Sequence, residues 1–512
     1  MKECLEVTKL REGVYRIQED SEYMNVDAYL VCGQDKAVMI DGLGIMDGLL
    51  SCVRELTNLP VSMVVTHGHP DHAGKGMIEF LEAGSEVFMS YKDMETLKGF
   101  VPEMDLSGIR ELNDGDLLDL GGRKLRCIAM PGHTGGSFML YSEEDRLLFS
   151  GDAIGSGGFW MQLPNSSPLV VFRQELKKLE QLFEENPAIK IYPGHSWQIT
   201  PYIDNEDYLD KAYVDELISL TDGLIAGTVK GEKKSIEMEG MEKIDVRSVA
   251  GKHVTDYCYD AEHIYSKVVK VKQINDHIWL LNENDESTGY LVTGSKKALM
   301  IDTMIGYEDL KVLVSRLTDL PIEVVNTHGH PDHIYGNAYF EKAYIHPADM
   351  ELAMKYQSEE VYREELEKRS LKQAEFVPVE EGHVFDLGGV ELEVFALPGH
   401  TPGGIVLLDR KDRILFVGDS ILEQTWMQLP ESLTMEQFVK SLERIRDLRG
   451  EFDYLLTGHG RGLEDGAFSE VHLNAVKEVA QGLNEHDEPY TWFGGTCMAH
   501  PYGKAPRKIV YK

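Results

Sequence analysis

The sequence predicts an α/β protein built from two tandem copies of one domain. A long set of motifs occurs twice along the 512 residues, and within each copy short strand-like segments alternate with helix-like segments. Strands that alternate with helices indicate sheets covered by helices. The repeat is much longer than the roughly 20–50 residues of a solenoid unit, so it indicates duplication of a whole domain.

The predicted strands and helices follow the same order in both copies. β-Branched and aromatic runs predict strands at residues 14–17, 28–31 and 37–40 and, in the second copy, at 277–281, 290–292 and 298–301. Apolar residues at three-to-four spacing predict helices at 46–56 and 307–317, followed by apolar strands at 61–65 and 322–325. Charged helix-like segments follow at about 204–226 and 468–484, and the Lys- and Glu-rich residues 230–243 indicate a solvated excursion.

The motifs that define the repeat are long and keep their order. Residues 64–72 (VVTHGHPDH) and 325–333 (VNTHGHPDH) differ at one of nine positions. MIDG or MIDT, PGHT, GD, WMQLP, and PGH or TGH also recur, at offsets between 261 and 267 residues. We therefore predict two domains, residues 1–265 with a C-terminal helical extension and residues 266–512 with a C-terminal extension. Tandem copies also favour packing as a pseudo-dimer within one chain.

Composition and charge limit the compartment and the partners. Apolar residues make up 42% and charged residues 27% of the chain, which excludes a disordered tail, a collagen-like fibre or a disulfide scaffold. A net charge of −36 repels phosphate backbones and anionic lipid, so no nucleic-acid or membrane partner is expected. Six cysteines without paired spacing indicate reduced thiols. With neither signal-peptide pattern nor membrane-length apolar run, the expected location is the cytoplasm.

The repeated histidine motif has the spacing of a metal site. His67 and His69 follow a predicted strand directly, and side chains two apart on extended backbone project to the same face, so one ion can take both. Pro then sets the backbone for a helical turn, so Asp71 and His72 leave the strand line and can face a second ion. Each motif can therefore supply ligands to two metal ions.

Later motifs supply further ligand types. His133 and His195 each follow Pro-Gly and can close the first and second metal sites, while Asp152 ends a strand and can bridge both. Imidazoles with carboxylates suit divalent zinc, and iron and manganese accept the same ligands. The second copy repeats the whole set: His328, His330, Asp332, His333, His400, Asp419 and His459.

These residues resemble the metallo-β-lactamase superfamily, whose HxHxDH signature stands in the chain twice. The resemblance implies two tandem αββα four-layer sandwich domains, each with metals held by loops at one edge of its sheets. It assigns one ion to His67, His69 and His133, a second ion to Asp71, His72 and His195, and a position between the two ions to Asp152. In the second copy the corresponding sets are His328, His330 and His400; Asp332, His333 and His459; and Asp419.

The ligand set favours one branch of this superfamily. The β-lactam-cleaving members generally lack the bridging aspartate, whereas members resembling glyoxalase II and the lactonases keep it, as Asp152 and Asp419 do here. A metal-dependent hydrolase of a small-molecule ester, thioester or lactone is therefore expected. The alternatives are an iron-dependent oxidoreductase resembling persulfide dioxygenases, a β-lactam or phosphodiester hydrolase, and a metal-binding repeat without catalysis.

The expected mechanism needs no Ser or Cys nucleophile. Two divalent ions per domain, zinc as the expected metal, lower the pKa of water and supply a bridging hydroxide that attacks the carbonyl. Asp71 and Asp332 are the expected catalytic residues, relaying a proton to the leaving group. The ligands match between the copies, but the neighbouring segments differ. We therefore expect two active sites with unequal substrate preference.

Supporting residues carry weaker signals. Asp41 and Asp302, at strand ends, resemble carboxylates that orient the metal-binding loop, and a turn or helix-capping role is an equal alternative. The Trp residues of the WMQLP motifs, Trp160 and Trp426, can wall the pocket or pack in the core. Tyr23 can contact substrate from a loop between early strands, although a lone aromatic residue in a loop usually does not.

Overall fold

The computed structural model describes residues 5–20, 25–102, 105–199, 207–236 and 244–512. The chain divides into two compact units, Met1–Lys267 and Val268–Lys512. Tyr23, for which the sequence suggested substrate contact, lies outside the described residues.

The first unit alternates strands and helices. Its strands, within the described residues, are β1 (Leu5–Arg11), β2 (Val14–Asp20), β3 (Asn25–Cys32), β4 (Ala37–Ile40), β5 (Val61–Val64), β6 (Val87–Met89), β7 (Ile109–Glu111), β8 (Leu117–Asp119), β9 (Lys124–Ala129), β10 (Phe138–Ser142), β11 (Leu147–Gly151), β12 (Gly158–Met161), β13 (Lys190–Pro193), β14 (Glu232–Ile236), β15 (Ile244–Val249) and β16 (Asp256–Tyr259). Its helices are α1 (Leu49–Leu56), α2 (Lys75–Glu82), α3 (Met94–Phe100), α4 (Leu169–Glu185) and α5 (Lys211–Ile225), with 3₁₀ turns at Tyr91–Asp93 and Ser196–Gln198.

The second unit repeats this order. Its strands are β17 (Val269–Asn275), β18 (Ile278–Glu283), β19 (Ser287–Thr293), β20 (Ala298–Ile301), β21 (Ile322–Val325), β22 (Lys342–Ile345), β23 (Glu375–Pro378), β24 (Val384–Asp386), β25 (Glu391–Ala396), β26 (Ile405–Asp409), β27 (Ile414–Gly418), β28 (Gln424–Trp426), β29 (Tyr454–Thr457), β30 (Glu464–Asp465), β31 (Glu488–Trp492), β32 (Gly495–Pro501) and β33 (Lys508–Tyr511). Its helices are α6 (Leu310–Ser315), α7 (Pro331–Ile334), α8 (Pro347–Gln357), α9 (Glu360–Lys368), α10 (Met435–Asp447) and α11 (Phe468–Ala480), with a 3₁₀ turn at Tyr335–Tyr339.

Two sheets face each other in the first unit. Strands β1 to β7 form one sheet in sequence order, antiparallel up to β4 and parallel from β4 onwards, and the other sheet has the order β13-β11-β10-β9-β8. One apolar cluster takes Tyr29 and Val64 from the first sheet and Phe138 and Phe149 from the second. The rings of Tyr29 and Phe149 are 5.1 Å apart, so the sheets meet in a common core.

Helices cover the outer faces of these sheets. Val53 of α1, Phe80 of α2 and Leu97 of α3 pack on the outer face of the first sheet. Helix α4 buries Phe172 among residues at three-to-four spacing, as an amphipathic helix does, and packs with Leu217 of α5 on the second sheet. The layers run helix, sheet, sheet, helix, which confirms the predicted αββα sandwich.

The second unit has the same layers. Strands β17 to β23 form one sheet, and the other has the order β24-β25-β26-β27-β29-β30. Their shared core includes Tyr290 and Phe416, with ring centroids 5.3 Å apart. Phe438 of α10 and Leu473 of α11 cover the outer face of the second sheet.

A further small sheet extends each unit beyond the predicted helices. Its strand order is β12-β16-β15-β14 in the first unit and β28-β33-β32-β31 in the second. The WMQLP strands β12 and β28 run parallel to β16 and β33, which lie far ahead in sequence. The extension of the first unit is therefore a helix followed by strands and not helical alone, and β14 occupies the described part of the segment predicted to be a solvated excursion. Residues 237–243 of that segment lie outside the described residues.

The described cysteines and helices bear on two sequence-based expectations. The described cysteines Cys32, Cys52, Cys127, Cys258 and Cys497 are free thiols. Burial raises the pKa of Cys127 to about 12 and that of Cys258 to about 11, which disfavours the nucleophilic thiolate form of both. Among the described residues, no helix combines the length and apolarity of a membrane span.

Candidate metal centres

The loops that follow several strands bring the predicted ligands together. His67 and His69 follow β5, His133 follows β9, Asp152 comes directly after β11, and His195 follows β13. Strands β11 and β13 pair in parallel, and the ends of parallel strands lie at the same sheet edge. The fold therefore places side chains from widely separated motifs at one edge of the sandwich.

In the first unit the seven predicted residues form two adjoining groups. The ligand atoms of each group lie within 4.8 Å of one another. Asp152 joins the groups, because its Oδ2 lies 3.2 Å from Nε2 of His195, 3.6 Å from Nε2 of His72 and 3.8 Å from Nε2 of His133. The two groups are His67, His69 and His133; and Asp71, His72, Asp152 and His195.

The second unit repeats this arrangement. Asp419 joins the groups there: its carboxylate lies 3.1 Å from Nε2 of His459, 3.3 Å from Nε2 of His333 and 3.8 Å from Nε2 of His400. The two groups are His328, His330 and His400; and Asp332, His333, Asp419 and His459. All fourteen residues predicted from the sequence are thus brought together in two equivalent sites.

Each imidazole has one nitrogen engaged outside its cluster, which leaves the other for the centre. In the first unit His133 Nδ1 lies 2.8 Å from the backbone oxygen of Trp160, and His195 Nδ1 lies 2.7 Å from the backbone oxygen of Asn25. Such partners fix the ring orientation and the tautomer of a metal-binding histidine. The corresponding contacts in the second unit are His400 Nδ1 to Trp426 O, 2.6 Å, and His459 Nδ1 to Glu286 O, 2.6 Å.

The atoms that face the cluster centres fit a pair of metal ions. Nε2 of His67, Nε2 of His72 and Oδ1 of Asp152 are buried and have no hydrogen-bond partner in the structure. The corresponding atoms of His328, His333 and Asp419 are unpartnered in the same way. Buried polar atoms without partners are costly, and imidazole with carboxylate is a donor set that zinc accepts. The residues present therefore fit divalent metal ions.

The electrostatics of the two groups differ. Burial lowers the pKa of His133 and of His400 to about 4, and burial also holds the pKa of His67 well below its ordinary value. These imidazoles are neutral at pH 7, as metal ligation requires. Burial opposes ionisation of Asp152, but His195 and His72 outweigh it and hold the pKa of this carboxyl well below the ordinary value. The joining carboxylate is therefore anionic.

Asp41 and Asp302 lie behind the loop that carries the clustered histidines. Asp41 accepts hydrogen bonds from the backbone N and Oγ1 of Thr66, and its Oδ2 lies 2.8 Å from Nδ1 of His72. Its backbone has a left-handed φ of 67°. Asp302 makes the same contacts with Thr327 and His333. Both carboxylates orient a clustered histidine.

A second buried carboxylate in each unit was not predicted from the sequence. Asp93 accepts hydrogen bonds from the backbone N of Gly68, the hydroxyl of Thr134 and the backbone N of Gly136. It thereby ties the loop of His67 and His69 to the loop of His133. In the second unit Asp349 makes the matching bonds with Gly329, Thr401 and Gly403. An Asp-Met pair, 93–94 and 349–350, recurs here but is too short to stand out.

A further residue that was not predicted from the sequence contacts a clustered histidine, and its type differs between the units. The side-chain amide of Asn165 lies 2.9 Å from Nε2 of His69. At the same place after the WMQLP motif the second unit has Glu431, whose Oε1 lies 2.8 Å from Nε2 of His330. One of two otherwise matched histidines therefore contacts a carboxylate, and the other an amide.

A cavity of about 1020 Å³ opens onto the cluster of the second unit. Trp426 lines it, so this residue walls the pocket as well as holding His400 through its carbonyl. Phe493 is 89% exposed and lies 5.9 Å from the ring of Trp426. It comes from the turn between β31 and β32, so the C-terminal extension, which carried no readable motif, contributes to this cavity.

The chain belongs to the metallo-beta-lactamase superfamily, whose family model matches residues 23–195 and 284–459. Each matched region contains all seven clustered residues of its unit. The family resemblance inferred from the histidine motifs is thereby confirmed.

Curated relatives correspond to one copy of the domain. An acyl-coenzyme A thioesterase, MBLAC2, of Gallus gallus is 30% identical over an alignment of 223 residues. The match covers 36% of this chain and 78% of the relative. A probable polyketide biosynthesis zinc-dependent hydrolase, PksB, of Bacillus subtilis (strain 168) is 24% identical over 168 residues, 32% of this chain and 69% of the relative. A solved metallo-beta-lactamase from Pontibacter korlensis aligns over 43% of this chain and 99% of its own, with 21% identity and a TM-score of 0.34.

Proposed function

We propose that this chain is a metal-dependent hydrolase of thioesters, carboxylic esters or lactones, with one dinuclear site in each unit. The observation that carries the proposal is the pair of adjoining ligand groups in each unit, with unpartnered buried atoms facing inward. The thioesterase and zinc-dependent hydrolase among the relatives support hydrolysis, and the former supports a thioester as the first substrate class to test.

The metal ligands in this proposal are the fourteen clustered residues. His67, His69 and His133 would hold one ion, Asp71, His72 and His195 the other, and Asp152 would contact both. His328, His330 and His400; Asp332, His333 and His459; and Asp419 would do the same in the second unit. When bound, divalent zinc would act as a Lewis acid toward the substrate carbonyl. It would also lower the pKa of a bound water, so that hydroxide would be available at neutral pH.

Asp71 and Asp332 are the proposed proton carriers. Their side chains are 25% and 32% exposed, whereas those of the joining carboxylates Asp152 and Asp419 are 14% and 9% exposed. Burial opposes ionisation of Asp332, but His333 outweighs it and lowers the pKa of this carboxyl to about 2. His72 and His195 likewise outweigh burial and hold the pKa of the Asp71 carboxyl below its ordinary value. Both carboxylates are therefore ionised at pH 7, the form that can accept a proton from attacking water and pass it to the leaving group.

The cavity of the second unit suits an acyl group. Leu422, Leu429 and Trp426 give it apolar walls. Among its charged lining residues outside the cluster, three carboxylates outnumber one guanidinium: Glu359, Glu423 and Glu464 against Arg461. Apolar walls favour hydrocarbon, and carboxylates disfavour anionic groups. We therefore propose an acyl ester or thioester with a neutral or cationic leaving group as the preferred substrate of this site.

Metal analysis and a substrate panel test the proposed function. Purified full-length protein is expected to retain close to four zinc ions per chain and to cleave p-nitrophenyl esters, acyl thioesters or lactones in preference to nitrocefin and a phosphodiester. Bound iron with oxygen uptake on a persulfide would instead identify an oxidoreductase. No turnover on any substrate by fully metallated protein would contradict the proposal.

Paired variants separate the two sites. His67→Ala with His69→Ala should abolish the contribution of the first unit, and His328→Ala with His330→Ala that of the second. Because the surrounding segments differ, each variant is expected to keep a distinct residual substrate profile. Complete loss of activity in either variant would show that the sites do not act independently.

A further inference from the structure

A third group of metal-type ligands lies away from the two clusters of the second unit. One ligand atom from each of His277, Asp409 and Asp412 lies within 4.8 Å of the other two. His277 is in the turn between β17 and β18, while Asp409 ends β26 and Asp412 lies in the turn before β27. Asp419 follows the last residue of β27, so the group sits at the other end of that strand.

Asp409 points to a missing partner in this group. The residue is fully buried, and its Oδ2 has no hydrogen-bond partner, while its Oδ1 accepts bonds from the backbone N of Lys411 and of Asp412. A buried carboxylate oxygen without a partner is costly. Asp412 places a second carboxylate within 4.8 Å of this group. The group therefore holds two acidic side chains and one buried oxygen that lacks a donor.

His277 does not supply an ordinary hydrogen bond. Its Nε2 lies 2.8 Å from Oδ2 of Asp412, but the contact lacks hydrogen-bond alignment, and Nε2 is buried without another partner. Oδ2 of Asp412 accepts a bond from the side-chain amide of Asn275 instead. Two ligand atoms that each lie about 2.0 Å from one zinc ion are roughly 3 Å apart, so this spacing suits shared coordination.

The first unit fills the equivalent place with a guanidinium. The strand registers of the two units match each other, so equivalent positions can be assigned. Gly13 corresponds to His277, Ser142 to Asp409 and Asp145 to Asp412. There Nε of Arg123 lies 2.6 Å from Oδ2 of Asp145, and its NH2 donates to the backbone oxygen of Glu12. Arg123 thus links the same two turns that the third group links in the second unit.

The charged residues at this place differ between the two units, and the changes in acidic and basic residues occur together. The first unit has Arg123 and Arg11 against one carboxylate, Asp145. By the same registers, Val390 of the second unit stands in place of Arg123 and Asn275 in place of Arg11. The second unit also has a second carboxylate, Asp409. Within the part of the second unit that the structure describes, His277 is the only ionisable base found within ion-pair distance of Asp409 or Asp412. Two carboxylates therefore share one imidazole where the first unit has two permanent cations.

We propose that His277, Asp409 and Asp412 bind one divalent metal ion of the zinc class, and that this ion joins the β17–β18 turn to the β26–β27 turn. The imidazole and two carboxylates supply three of the four ligands that zinc takes. In the second unit the ion would link the two turns that Arg123 links in the first unit. This site is independent of the proposed hydrolase function.

Zinc content tests the proposal directly. Full-length protein is loaded with zinc, dialysed to remove loosely held metal and analysed by elemental mass spectrometry. Asp409→Ser, which installs the residue of the first unit, should retain one zinc ion fewer per chain than the unchanged protein, with esterase turnover unaffected. Asp145→Asn is the matched control, and it should weaken an ion pair without changing the zinc content.

A second variant guards against misfolding. Asn275→Arg, His277→Gly, Val390→Arg and Asp409→Ser together transplant the arginine arrangement of the first unit, and this protein should fold with one ion fewer. A crystal of the unchanged protein soaked in zinc should show an anomalous peak at His277 Nε2. Equal zinc content in a folded variant, or no peak beside His277, would overturn the proposal.

Discussion

Oε1 of Glu431 lies 2.8 Å from Nε2 of His330, on the side of the ring opposite the metal cluster. Nδ1 of this ring faces the cluster and lies 3.0 Å from Nε2 of His400. A carboxylate behind a metal-binding imidazole raises the basicity of the ligand. The first unit has the neutral amide of Asn165 in this role, so the two sites are expected to hold metal with different strength.

Exchanging these residues should exchange the metal affinities. Glu431→Asn is expected to weaken zinc retention in the second unit by about 10- to 100-fold, because the imidazole loses its anionic partner. Asn165→Glu should strengthen retention in the first unit. Competition with a chromogenic chelator measures both. Equal retention by the two exchanged proteins and the unchanged one would contradict a tuning role.

Removing the carboxylate that ties the ligand loops should destabilise the fold. Asp349→Asn leaves backbone and hydroxyl donors around Gly329, Thr401 and Gly403 short of acceptors, and each unsatisfied buried donor costs about 1–3 kcal/mol. Urea unfolding should show the second unit less stable by at least this amount. Asp105→Asn, at an exposed aspartate, is the control and should be neutral within about 0.5 kcal/mol.

The glycine before His195 should not tolerate a side chain. A Cβ on Gly194 would lie 2.5 Å from Oδ1 of Asp152 and 2.5 Å from Cε1 of His72, closer than real side chains come. Gly194→Ala should therefore push the second ligand group of the first unit apart and lower the zinc content. Gly99→Ala, at an open helical position, should keep all its metal and be slightly stabilising. Full zinc content in Gly194→Ala would show that the loop adapts.

The stability of the second unit should fall in acid because of His472. This residue is fully buried, and burial lowers its pKa to about 3, against about 6.5 in the unfolded chain. Between these values the unfolded chain binds the proton more readily, so stability is lost as the pH falls, at up to about 1.4 kcal/mol per pH unit.

Urea unfolding between pH 4.5 and 7 measures this dependence in chelator-treated protein. His472→Gln removes the titrating group and should flatten the pH dependence. The exposed His486→Gln is the matched control and should keep it. The same slope in all three proteins would assign the acid sensitivity to other groups.

The ligand residues could be predicted from sequence because their signal is local and repeated. The alternation that places His67 and His69 on one face is a property of extended backbone, and duplication shows which later histidines belong with them. Asp93 could not be found in this way. It acts through bonds to Gly68 and Thr134, and these contacts exist only once α3 packs beside the loop after β9.

The small sheets were harder to predict for a different reason. Strand β14 has the sequence EKKSI, whose charges indicate solvent exposure, yet it pairs with β15 throughout. Strand β12 pairs in parallel with β16, almost one hundred residues later, and such long-range pairing leaves no local signal. Sequence patterns therefore predicted strands β2 to β5 and β18 to β21 of the first large sheets, but gave no ranges for most of the second large sheet and did not predict the third sheet.

The pairing of β12 with β16 also affects the order in which the first unit is completed during translation. Trp160, whose carbonyl contacts His133, lies on β12, and β12 has its partner only after residues 256–259 have left the ribosome. A nascent chain stalled near residue 250 contains all seven clustered residues of the first unit but not the strand that steadies this carbonyl. We therefore expect the His133 side of the cluster to reach its final geometry only after synthesis has moved on to the second unit.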